Sequence, residues 1–268
     1  MSERVELLII DPQIDFCDPR RGALYVPGAE HDMERLAVML RRVKERLDGI
    51  HVTLDSHHPI HIAHPIMWRG NRGQHPPAFT KITRADVERG VWQTTLPELQ
   101  QRALNYVREL EENQRYELTI WPPHCLIGSF GHAVEPELFA ALREWEERRF
   151  ALVDYVLKGS NMMTEHYSAV QADVPDADDA ATQLNTRLIR ALEAADVIAV
   201  AGEARTHCLA NTVRDIVNNF SHPSHIAKLV LLTDATSDIP GFETHAENFL
   251  RDMSACGLRL STTVEFLA

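Results

Sequence analysis

The run Val197-Ile198-Ala199-Val200-Ala201-Gly202-Glu203-Ala204-Arg205-Thr206-His207-Cys208 governs how the rest of the chain reads. It opens on five apolar residues without polar alternation, the pattern of a strand buried on both faces. After Cys208, the residues Leu209, Thr212, Val213 and Val217 fall on one side of a helix. Strand, turn and helix in succession form the repeating unit of a parallel sheet, whose crossovers lay helices on its faces.

The unit recurs outward from there. Apolar runs at residues 5–10, 50–54, 116–121, 151–157 and 229–233 read as further strands. Met33, Leu36, Leu40, Val43 and Leu47 form a helical stripe with Gly49 as a stop signal. Leu99, Ala103, Val107 and Leu110 form a second stripe, with Pro97 at its first turn, and Leu184, Leu188, Ala191 and Leu192 a third. The expected fold is α/β: one domain over residues 1–268, a doubly wound, mainly parallel six-stranded sheet with helices on both faces. Residues 65–113 break the spacing with a polar, Gly/Pro-containing stretch and then a helix, and read as an inserted lid or oligomer element.

Composition bounds the partners. The chain has 268 residues, 44% hydrophobic and 25% charged, with a formal charge of −12. An acidic surface argues against nucleic acid, since phosphate binding needs basic residues. No apolar stretch is long enough for a bilayer and no secretory h-region precedes the first strand, so the expected location is the cytoplasm, without a membrane partner. The four cysteines (Cys17, Cys125, Cys208 and Cys256) form no C-x-x-C pair and are expected as free thiols.

In doubly wound sheets, sites form at the carboxyl ends of the strands. Asp11, Asp55, His124, Lys158 and Cys208 each fall at or just after the end of an expected strand. A lone cysteine is more often buried and structural. At a strand-to-helix turn, however, converging amides would lower a thiol's pKa and hold an oxyanion. Asp11 and Lys158 could be a plain buried ion pair; with Cys208 they make a nucleophile group. In Asp55-Ser-His57-His58-Pro-Ile-His61-Ile-Ala-His64, the side chains of Asp55 and His57 project the same way. His124 can complete a two-His, one-carboxylate set, and His61 or His64 could add a fourth donor. Such N/O donors suit Zn²⁺, Fe²⁺ or Mn²⁺; a histidine-rich surface loop is the alternative. Phe16 and Trp121 could sandwich a flat ligand or simply pack the core.

These motifs resemble those of the nicotinamidases, within the isochorismatase-like cysteine hydrolases. Asp11-Pro-Gln13-Ile-Asp15-Phe16-Cys17 resembles their D-x-Q-x-D-F-C opening, and the Asp55–His61 segment their D-x-H-x-x-x-H metal loop. Trp121-Pro-Pro-His124-Cys125 resembles W-P-x-H-C, Lys158-Gly159 their K-G pair, and Thr206-His207-Cys208 their nucleophile turn. The match runs over residues 5–239, with 65–113 outside it. The resemblance implies a catalytic triad of Asp11, Lys158 and Cys208. It implies an oxyanion hole from the amides of Ala204 and Cys208, and a cis peptide at Glu203–Ala204. The implied metal ligands are Asp55, His57, His124 and His61, with zinc the leading cofactor and iron or manganese as alternatives. Phe16, Trp121, Tyr167 and Glu203 would meet the substrate. The implied reaction is hydrolysis of a small aromatic carboxamide, nicotinamide first, by a homo-oligomer. Glu203 and Arg205 depart from the pattern, being charged where small or apolar residues are expected, and Glu165 and His166 are additions. They keep open a different heteroaromatic or carbamoyl amide, or a metal-containing binding protein without turnover.

Overall fold

The computed structural model describes residues 3–113 and 116–268. Its central sheet has six strands: β1 (Val5–Ile10), β2 (Gly49–Asp55), β3 (Asp154–Lys158), β4 (Val197–Gly202), β5 (Leu229–Leu232) and β6 (Arg259–Ser261). They lie in the order β6-β5-β4-β1-β2-β3, all parallel. All six residues of β1 are buried, as a central strand covered on both faces requires. The longer helices are α1 (Ala29–Val43), α2 (Gln100–Glu112), α3 (Pro136–Arg149), α4 (Thr186–Glu193), α5 (Cys208–Asn219) and α6 (Glu243–Cys256). α1 packs on α3 and α5 on α6. The chain winds from β1 out to β3, then crosses to the other side of β1 at β4. That reversal opens a crevice at the carboxyl ends of β1 and β4, where Asp11 and the Gly202–Cys208 turn stand.

One expected strand is displaced. Of residues 116–121 only Leu118–Thr119 is extended, and it pairs antiparallel with Lys81–Ile82, outside the central sheet. The sequence there alternates apolar with polar, which suits an outer ribbon better than a strand buried on both faces. The sixth place is taken by β6, three residues long and partly exposed, too short to read as a strand in advance.

The 65–113 segment is structured. Trp68–Gly70 pairs antiparallel with Trp92–Thr94, a capping box at Thr83 starts the short helix Arg84–Glu88, and α2 follows. Trp68 is buried and its indole N–H donates to the Ile62 carbonyl at 2.7 Å, which pins the segment to the histidine-rich loop. Among the described residues no helix is long and apolar enough to cross a membrane.

Candidate active site

Asp11 follows β1 with φ 42°, a left-handed conformation that Asp tolerates better than most residues. Thr53 of β2 holds it twice: the Asp11 amide donates to the hydroxyl at 3.0 Å, and the hydroxyl donates to Asp11 Oδ1. Lys158, the last residue of β3, points its ammonium between the strand ends. Its Nζ lies 2.8 Å from Asp11 Oδ2, 3.1 Å from Asp55 Oδ1 and 3.6 Å from Cys208 Sγ. Three expected strand-end residues therefore meet the thiol through one cation.

Cys208 opens α5. The amides of His207 and Leu209 both turn inward onto the Ala204 carbonyl, at 3.0 and 3.2 Å, so the Cys208 amide stands between them at the first helical turn. The Glu203–Ala204 peptide is cis. The thiol does not behave as the turn alone suggested. Burial pushes its pKa well above the usual range; Lys158 works the other way, but Asp11 and Asp55 add to the rise. The hydrogen bond at the sulfur comes from the Lys158 ammonium, at 3.6 Å. Burial likewise raises Asp11, against the pull of Lys158 and with the help of the Asp55 charge. A carboxyl with raised pKa beside a thiol with raised pKa is a matched acceptor for its proton.

The histidine-rich loop folds back beside Lys158. Asp55, His57 and His124 place ligand atoms within 4.8 Å of one another, and His57, His61 and Glu165 do the same, so His57 belongs to both sets. His57 Nε2 lies 2.9 Å and His124 Nε2 3.3 Å from Asp55 Oδ2. Burial would depress His57, but the Asp55 charge overrides it and pushes the imidazole up to about 9. Burial also works against Asp55, yet His57 and Lys158 hold it well below the carboxylate range. His57 Nδ1 meets the Gly159 carbonyl at 3.0 Å, the partner that frees Nε2 for a ligand role in the neutral ring. The His64 ring centroid lies 5.4 Å from that of His57, and its buried Nε2 has no hydrogen-bond partner among the described residues. An orphaned imidazole nitrogen beside a carboxylate and two further imidazoles fits a divalent cation. His61 stands 4.4 Å from the His57 ring, with Nε2 3.1 Å from the Thr164 carbonyl.

Phe16, Trp121, Tyr167, His124, Ala204 and Cys208 line one narrow cavity of about 20 Å³, together with Leu24, Asp55, Glu165, His207 and Ile239. Phe16 meets His124 edge-on at 5.4 Å, and the Trp121 indole N–H donates to the Tyr167 hydroxyl at 2.8 Å. Phe79 of the 65–113 segment stands edge-on to Trp121 at 5.8 Å, and the Glu165 amide donates to the Tyr106 hydroxyl of α2 at 3.2 Å.

Glu203 is the residue that the structure removes from this cavity. It is fully buried, and its Oε2 accepts from the Ser237 amide at 3.1 Å on the side facing α1. The reason is local: α1 offers Asp32 and the Ser237 segment offers a free amide, while the cavity side of the turn is taken by Ala204.

Sequence reasoning passed over three residues that build the site. Thr53 orients Asp11. Gln13 clamps Asp55 by donating to its carbonyl and accepting from its amide, both at 2.7 Å. Asp15 accepts from the Cys125 amide at 2.6 Å, fixing the segment that carries His124. Thr53 had a readable signal, for it sits two before Asp55 in a buried strand and so shares its face.

No family model matches the chain, and no curated protein matches it. Solved structures do. A nicotinamidase/pyrazinamidase of Acinetobacter baumanii superposes with a TM-score of 0.66 at 18% identity, over 99% of both chains. An L. infantum protein in complex with nicotinate gives 0.61 at 21% identity, over 98% of this chain and 95% of its own. The pyrazinamidase of Pyrococcus horikoshii in complex with zinc gives 0.55 at 18%, over 97% and 99%. The chain shares their fold.

Proposed function

We propose that this protein is a cysteine amidohydrolase acting on a small aromatic carboxamide, with nicotinamide the leading substrate. The observation that carries the reading is the junction at Lys158, whose ammonium joins Asp11, Asp55 and the Cys208 thiol at 2.8, 3.1 and 3.6 Å beside an aromatic-lined cavity. Nicotinamidases and a nicotinate complex among proteins of this fold support the substrate class.

In this reading Asp11 takes the Cys208 proton as Sγ attacks the amide carbonyl. Lys158 holds the developing thiolate, and the amides of Ala204 and Cys208 hold the oxyanion. Asp11 returns the proton to the leaving nitrogen and ammonia departs. Water then cleaves the thioester, with Asp11 again accepting a proton. Phe16 and Trp121 grip the ring, and Tyr167 braces Trp121. Asp55, His57 and His124, with His61 or His64 beside them, would hold a divalent cation. Zinc leads because a protein of this fold binds it, and iron or manganese suit the same donors. When bound, the cation would supply a Lewis acid for a ring nitrogen or a water. The 65–113 segment would act as a lid through Phe79. A homo-oligomer completes the proposal and is tested by sedimentation.

With Glu203 turned away from the cavity onto Ser237, it gives no support to a different amide. A panel of nicotinamide, pyrazinamide, benzamide and carbamoyl compounds with ammonia detection tests the reading. Turnover of the aromatic carboxamides is expected; turnover of the carbamoyl compounds alone would overturn it.

A further inference from the structure

Two buried acids lie outside the proposed chemistry. Glu203 is 0% exposed and Asp32, on α1, is 2% exposed. Both converge on Ser237: its amide donates to Glu203 Oε2 at 3.1 Å and its hydroxyl to Asp32 Oδ2 at 2.5 Å. Arg35 donates to the other oxygen of Asp32 at 2.5 Å. Among the described residues Glu203 Oε1 meets no hydrogen-bond partner. Two buried carboxylates converging on one serine repel each other, and a proton held between them relieves the repulsion.

The pair sits at a junction. The Gly202–Cys208 turn is stitched to the segment 235–239: the Gly202 amide donates to the Ala235 carbonyl at 2.9 Å, and the Arg205 amide to the Ser237 carbonyl at 2.9 Å. The Arg205 guanidinium forks onto Asp238 at 2.9 and 2.6 Å. Ala204 on one strip and Ile239 on the other both line the cavity. Glu203 and Arg205, the two charged residues out of place in the nucleophile turn, thus both hold it to its neighbour.

We infer that Glu203 and Asp32 share a single proton across Ser237, and that this acid pair acts as a positioning device for the Ala204 amide and the Ile239 wall. The other ionisable groups facing it are Arg35 on α1, Arg205 on the turn, with Asp238 neutralising it, and the Cys17 thiol from the helix Ile14–Cys17. The positioning role rests on the amidohydrolase reading; the shared proton does not.

The test compares the zinc-loaded wild type with Glu203→Gln and Glu203→Leu. Glutamine accepts from Ser237 and donates to an ionised Asp32, so it keeps the clamp without a titrating proton. Burial and Asp32 hold the Glu203 pKa well above its ordinary 4.5 in the folded chain. The contribution of Glu203 to stability is therefore present below its ordinary value and is lost as pH rises through the raised folded pKa. Melting temperature against pH should show Glu203→Gln gaining on the wild type above roughly pH 4.5. Parallel curves would overturn the shared proton, whether or not any amide is turned over. For positioning, Glu203→Gln should keep kcat near neutral pH and move any alkaline loss of kcat upward by about one pH unit or more. Glu203→Leu should lower kcat about tenfold or more with KM within about twofold. An unchanged alkaline limb in Glu203→Gln would overturn the positioning role, and that variant decides the matter if the leucine protein does not fold.

Discussion

In the proposed reaction Cys208 faces two opposing demands, since burial keeps its proton on while attack on a carbonyl needs it off. Asp11, itself raised by burial, and Lys158, 3.6 Å from the sulfur, resolve them by making the transfer local. Asp11 must be ionised to act as base, so kcat/KM should fall as pH drops through a pKa above the ordinary carboxylate range. Asp11→Asn should lose about 10²- to 10⁴-fold, read by ammonia release. Lys158→Met leaves two carboxylates facing each other in a dry site. It should cost about 3–5 kcal/mol by denaturant unfolding as well as activity. Asp55 also raises the thiol pKa, and a divalent cation would cancel that charge. Zinc loading should therefore speed Cys208 alkylation near neutral pH, on the order of tenfold; no change would remove that coupling. The charged residues were legible because a charge ending an apolar strand is expensive unless paired, and Cys208 because it stands at a strand-to-helix turn beside them. The direction of Glu203 was not, because it is decided by Asp32 and Ser237, residues far along the chain. Nor was the upward push on the thiol pKa, which comes first from burial and then from two carboxylates that only folding brings near it.

Among the elements, apolar strand runs could be read because parallel strands bury both faces, and β1 to β5 all lie where such runs do. Within residues 116–121, Leu118–Thr119 pairs outside the central sheet, with Lys81–Ile82, and His124 reaches the site from the segment that follows this ribbon rather than from the sheet. The opposite end of the sheet carries a second polar cluster. His51 of β2 contacts Glu6 of β1 at 2.6 Å and Asp154 of β3 at 2.8 Å, tying the amino ends of three strands together. Burial works against both charges. Even so, the two acids raise His51, and His51 with Arg4 lowers Glu6. The Glu6 contribution is present above its ordinary 4.5 and is lost as pH falls. The His51 contribution is present below its ordinary 6.5 and is lost as pH rises through the raised folded value. His51→Gln should thus cost most between those limits, about 1–3 kcal/mol, measured by melting across pH. A loss that is the same at every pH would contradict it.

For the whole molecule, the doubly wound topology brings Asp11, the Lys158 junction and the Cys208 turn to one crevice, and the 65–113 segment touches its lining residues, Phe79 against Trp121 and Tyr106 against the Glu165 amide. Phe79→Ala should open the Trp121 side and raise KM for the aromatic amide with kcat less affected, as loss of ground-state binding does. The central claim is that Cys208 is the nucleophile toward an amide carbonyl. Ammonia release from nicotinamide by the zinc-loaded wild type and by Cys208→Ala, with matched melting temperatures as the control for fold, tests it most directly. Release should fall by roughly a thousandfold or more in the variant; full release from a folded Cys208→Ala protein would contradict the account.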